Sequence, residues 1–119
     1  PYVQYVHARI CSILRKYGEG ASDDVDFGLL THDLEKELIK RVGNYEAAVA
    51  QAAEQYKPSV LAKYLIDLCQ GFNTYYNNCS VLNAGNPELV KARILLCDSV
   101  RQVIANGLWL LGMKAPDEM

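Results

Sequence analysis

Apolar residues recur at helical spacing through most of this chain. In the opening PYVQYVHARICSILRKYG, Val3, Val6, Ile10, Ile13, Leu14 and Tyr17 fall within about a third of a helix circumference. The stretch predicts an amphipathic helix from Tyr2 to Tyr17, stopped by Gly18 and Gly20. Tyr2, Tyr5, Arg9, Ser12 and Lys16 occupy the neighbouring sector, a second face that a buried core does not need. What uses that face is the question the rest of the chain has to answer.

GEGASDDVDFG follows, glycine-rich, acidic and without period, and predicts a surface loop. THDLEKELIKRV predicts a second helix with Thr31 as its N-cap. Asp33, Glu35 and Glu37 lie near the positive end of its dipole, Lys40 and Arg41 near the other. NYEAAVAQAAEQY predicts a third, alanine-rich helix capped by Asn44 and broken at Lys57-Pro58. The fourth runs through VLAKYLIDLCQGFNTYYNNC on a stripe of Leu61, Leu65, Leu68, Phe72 and either Tyr75 or Tyr76. LNAGNPE turns the chain, and Asn86 caps a fifth helix from Pro87 to about Leu111, with Gly112 as its left-handed terminator. No alternating strand pattern of any length competes, so the expectation is an all-α, single-domain bundle of about five helices over residues 1–119.

Composition narrows the function. Half of the 119 residues are apolar, enough for one core and too many for a disordered chain. No apolar run approaches the ~20 residues that cross a bilayer, and the first residues lack the pattern of an export signal. The chain opens on Pro1, one residue before a helical stretch, and reads as a piece of a longer cytoplasmic protein. The net charge of −2 argues against a bulk electrostatic nucleic-acid binder, which would normally show a basic excess. Any nucleic acid must be met by a local surface, through stacking as much as through phosphate neutralisation.

Catalytic chemistry finds little support. His7 and His32 lie on different predicted elements with no serine or cysteine set for a triad. Asp23, Asp24 and Asp26 lack the glycine and distal glutamate of a calcium loop. Cys11, Cys69, Cys79 and Cys97 form no C-x-x-C pair and no ligand spacing with histidine, so they read as small buried hydrophobes. Tyrosine is the unusual residue, eight against two phenylalanines and one tryptophan. Phenol rings suit surfaces that need a flat plate with a polar tip. Three roles fit: platforms for unstacked bases, anchors for a protein partner, or semi-buried packing.

YVQYVHARICSILRK and RQVIANGLWLLGMKAPDEM, at the two ends, resemble the C-terminal anticodon-binding domain of arginyl-tRNA synthetases, a class I family. EKELIK, LAKYLIDLCQGFNTYYN and NPELVKARILLCDSVRQV resemble the same domain in the same order, so the likeness covers essentially the whole chain. It implies a piece that binds the anticodon arm of arginine tRNA and carries no catalytic site, metal or cofactor of its own. A catalytic domain lying outside it would attach arginine to tRNA using ATP. The implied partners are the anticodon stem-loop and the parent's own catalytic domain, with neither membrane nor DNA. The resemblance implies anticodon contacts for Tyr2, Tyr5, Tyr76 and Met119. Arg9 joins them because it shares the tyrosine face. Asn106 is a family position with two open roles, RNA contact or helix packing, and Arg101 reads as structural. The alternative from another class is a non-catalytic helical module that binds protein.

Overall fold

The computed structural model describes residues 1–119. Five α-helices follow one another: α1 Tyr2–Tyr17, α2 Asp33–Gly43, α3 Tyr45–Gln55, α4 Pro58–Asn78 and α5 Pro87–Leu110. One 3₁₀ turn, Phe27–Leu29, interrupts the loop after α1. All five predicted helices therefore form, within a residue or two of the expected ends.

The terminators act as their residue types dictate. Gly18 takes a left-handed φ of 81° and closes α1. Gly112 does the same for α5 at φ 74°. There the Met113 and Gly112 amides donate back to the Leu108 and Trp109 carbonyls, a Schellman arrangement that satisfies two orphan acceptors. Asn86 accepts from the Glu88 amide with Pro87 in the first turn of α5. Asn44 stands at the start of α3, but its side chain makes no capping bond.

The N-cap of α2 is His32 and not Thr31. Thr31 is drawn into the end of the 3₁₀ turn, where its amide donates to the Leu29 carbonyl. His32 Nδ1 accepts from the Leu34 amide at 3.1 Å, doing with a ring nitrogen what a hydroxyl does elsewhere. Glu35 closes the box by accepting from the His32 amide.

The core lies where α1, α2, α4 and α5 meet. Ile10, Leu38, Leu68, Phe72, Cys97, Val100 and Ile104 are sealed in one cluster. The Tyr75/Tyr76 ambiguity is resolved by packing: Tyr75 is wholly buried and Tyr76 lies at the surface edge. Gly107 lets α5 approach α4, because a β-carbon there would stand 2.7 Å from Leu65 Cδ2. α3 buries no residue completely and rests on α4 and α2 as a satellite. The four cysteines are free and buried, as small hydrophobes are.

One buried group departs from the expected pattern. Glu35, read from the sequence only as a companion of the α2 dipole, has no solvent exposure. Its carboxylate accepts from Arg93 Nε at 2.8 Å, the Tyr75 hydroxyl at 3.0 Å and the His32 amide at 3.1 Å. These charge-assisted bonds offset the desolvation of a buried carboxylate and tie α2, α4 and α5 together.

Candidate nucleic-acid interface

The second face of α1 lies along its junction with α4. Asn73 on α4 is the link. Its Nδ2 donates to the Tyr2 hydroxyl at 3.0 Å, and its Oδ1 accepts from Arg9 Nη1 at 2.9 Å. The Arg9 guanidinium then sits 5.1 Å from the centre of the Tyr76 ring, within cation–π range. Tyr76 in turn stacks on Phe72, with centroids 5.8 Å apart and planes 18° from parallel. Phe72 belongs to the sealed core, so the outer ring is braced from behind. A flat, ordered plate of aromatic and guanidinium groups results.

Tyr5 stands beside this plate, 57% exposed and without a hydrogen-bond partner of its own. With Ala8, Arg9, Ser12, Arg15, Glu118 and Met119 it lines an open cleft of about 480 Å³. Met119, from the far end of the chain, is 62% exposed there. The tail reaches α1 because Gly112 reverses the chain after α5. Tyr2, Arg9 and Tyr76 are thus joined in one hydrogen-bonded and stacked cluster, and Arg9 carries that cluster into the cleft of Tyr5 and Met119.

Asn106 is not brought there. It is exposed on α5 and lines neither the cleft nor the Asn73 cluster. Gly107, its neighbour, makes the contact with α4. Arg101 is occupied within α5 by Asp98, 2.8 Å away. The acidic loop ends near Phe27, which lines a separate hollow with Ile39, Val42 and Leu95 of α2 and α5.

Asn73 was not singled out by sequence reasoning. The available signal was its place one turn before Tyr76 on the same side of α4. A second omission concerns His7 and Cys11, which are four residues apart on one helix face, a spacing that permits shared ligation. With Asp117 their ligand atoms lie within 4.8 Å of one another. His7 Nδ1, however, is committed to the Pro116 carbonyl at 2.7 Å. Burial and the neighbouring Asp117 carboxylate push the Cys11 thiol up, against the thiolate a metal requires. The group is built as a strap for the tail.

Chemically, the surface offers stacking planes, two nearby guanidinium groups and little net charge. It has no nucleophile and base in catalytic array. Such a surface is suited to holding splayed bases of a single-stranded loop.

Comparison with known proteins matches essentially the whole chain. Residues 3–119 match the family model of the DALR anticodon binding domain. The arginine–tRNA ligase of Bdellovibrio bacteriovorus is 40% identical over 119 residues, covering all of this chain and 20% of that protein. That of Listeria monocytogenes is 41% identical over 121 residues, covering 99% of this chain and 22% of the relative. Among solved structures, the arginyl-tRNA synthetase of Thermus thermophilus superposes with a TM-score of 0.89 at 41% identity, covering all of this chain and 21% of that one. The chain spans about a fifth of the length of the relatives it matches. With its helices, its end motifs and its full-length match in agreement, the chain belongs to the DALR anticodon-binding domain family.

Proposed function

We propose that this chain binds the anticodon arm of arginine tRNA as one domain of an arginine–tRNA ligase, whose catalytic domain joins arginine to tRNA at the expense of ATP. The observation that carries the reading is the Asn73 link, which fixes Tyr2 and Arg9 relative to each other and lays Arg9 on Tyr76. Unstacked anticodon bases stack on Tyr5 and on the Arg9–Tyr76 plate, and Tyr2 frames its edge. Met119 closes the cleft by apolar contact, since Glu118 beside it disfavours a phosphate there. Arg9, Arg15 and Lys16 supply local phosphate contacts on a chain of net charge −2. Arginine anticodons share a central cytosine, which makes that base the natural determinant. Asn106 is left out of this proposed contact because it lines neither the cleft nor the Asn73 cluster.

A protein contact has its own support elsewhere on the molecule. Trp109, Leu110 and Met113 are exposed together at the end of α5, a grouping of large apolar side chains that suits a protein neighbour. The parent's own catalytic domain is the partner proposed for it. No helix of the chain is long and apolar enough to cross a membrane, and a cytoplasmic location for the parent fits its proposed substrate.

The test is a titration of the chain with an arginine-tRNA anticodon stem-loop and with a copy in which the central cytosine is replaced. Tighter binding of the first at low salt is the expected result. Equal binding of the two, or none, overturns the reading.

A further inference from the structure

α1 carries a third stripe besides its core and aromatic faces. Gln4, His7, Cys11 and Arg15 recur every three or four residues, so they share one side of the helix. All of them face the tail that follows Gly112. Gln4 Nε2 donates to the Lys114 carbonyl at 2.9 Å, and Arg15 Nη1 donates to the Asp117 carbonyl at 3.2 Å. Between them His7 Nδ1 meets the Pro116 carbonyl at 2.7 Å. The Cys11 sulfur lies 3.9 Å from the Asp117 carboxylate. The tail has no regular secondary structure of its own, so these side chains replace the bonds a helix or strand would supply.

The His7 contact dominates the strap. Its ring is 2% exposed, whereas Arg15 and the tail residues Lys114 and Asp117 are open to water. A carbonyl only accepts, so Nδ1 must carry the proton. Nε2, on the far side of the ring, is buried and without a partner. An apolar ring of similar size would fill the space without that cost. The Nδ1–H bond to the tail is what the imidazole adds.

We infer that His7 is a positioning residue: by holding Pro116 it sets Met119 beside Tyr5 and Arg9. Met119 lies three residues beyond Pro116, at most about 10–11 Å of extended chain, so the anchor confines the terminal side chain to the cleft region. The inference rests on the cleft being an RNA-contact surface. Its physical content is pre-organisation: a tail already ordered in the free protein is not ordered at the expense of binding.

Two substitutions at one position separate the bond from the packing. His7→Asn retains an N–H donor near the place of Nδ1, and His7→Phe retains ring volume without a donor. In the free chain, heteronuclear NOE values for the Asp117–Met119 amides are expected to fall in His7→Phe and to stay near wild type in His7→Asn. Stem-loop affinity is expected to fall about threefold to tenfold in His7→Phe, the scale of one net hydrogen bond, and to recover in His7→Asn. In a chain lacking residues 117–119, His7→Phe is expected to change affinity no further. Should His7→Phe fail to fold, the exposed-side pair Gln4→Ala and Arg15→Ala removes the two outer strap bonds and is expected to lower the same NOE values. Tail amides as ordered in the variant as in wild type overturn the inference. So does an equal loss of affinity in the shortened chain. If the wild-type chain binds no stem-loop, the RNA reading fails while the NOE comparison still decides the strap.

Discussion

Arg9 and Tyr76, on different helices, are held as a cation–π pair, with the guanidinium 5.1 Å from the ring centre and Asn73 bonded to it. A double-mutant cycle with Arg9→Ala and Tyr76→Leu is expected to give a coupling of about 0.5–1 kcal/mol in urea unfolding, the scale of an exposed cation–π pair. Additive effects would mean the two groups are merely adjacent.

Tyr5 contributes little to the fold, because its ring is 57% exposed and its hydroxyl unpartnered. Tyr5→Ala is expected to weaken stem-loop binding by about 1–3 kcal/mol, the worth of one stacked base. The urea midpoint is expected to move by less than the equivalent of about 0.5 kcal/mol. Calorimetric titration beside an unfolding curve checks both, and unchanged affinity would remove Tyr5 from the contact surface.

Salt dependence should be shallow. Only Arg9, Arg15 and Lys16 on α1 are proposed to meet phosphate, and the whole chain carries a net charge of −2. For single-stranded contacts the slope of log K against log salt is then no steeper than about −2. A slope near −5 would show phosphate neutralisation, and not stacking, to be the main source of affinity.

Breaking the buried ion pair should be costly. Arg93→Ala leaves the Glu35 carboxylate sealed with only the Tyr75 hydroxyl and the His32 amide as donors, a loss of about 3–5 kcal/mol. Tyr75→Phe removes a single donor and is expected to cost about 1–2 kcal/mol. Urea unfolding ranks the two, and a reversed order would contradict the assignment of Arg93 as the principal counter-charge.

Alkaline pH should destabilise the domain well before its lysines titrate fully. Burial pushes the Cys69 and Cys97 thiols and the Tyr64 hydroxyl up to about 12, and raises Tyr75 as well. In the unfolded chain the thiols ionise near 9 and the phenols near 10. Between those values and about 12 the unfolded state holds fewer protons than the folded one, so stability falls as pH rises. It is unaffected by these groups below pH 9 and declines by about 1.4 kcal/mol per pH unit for each group fully engaged. Melting temperatures measured from pH 7 to 11 test this, and a flat profile would show that the thiols and phenols ionise without unfolding.

Local information determined much of this molecule. Helix number, the Gly18 and Gly112 stops and the Asn86–Pro87 start were legible because apolar period and cap chemistry act within a few residues. The aromatic and basic face of α1 was legible for the same reason, since residues spaced three and four apart must share a side of the helix.

Tertiary packing alone decided the rest. Glu35 reads as a dipole companion until Arg93 and Tyr75, 58 and 40 residues away, enclose it. The choice between Tyr75 and Tyr76 depends on how α4 rotates against the core, which a stripe of adjacent tyrosines leaves open. Asn106 shares the chain-end motif with Met119, yet the tail after Gly112 runs back along α1 to the cleft, whose lining does not include Asn106. Asn73 and His7 share helix faces with Tyr76 and Cys11, but that spacing does not name the partners they act on, which lie 64 or more residues distant in sequence. Periodicity records which side of a helix a residue occupies; what stands opposite is settled only when the helices pack.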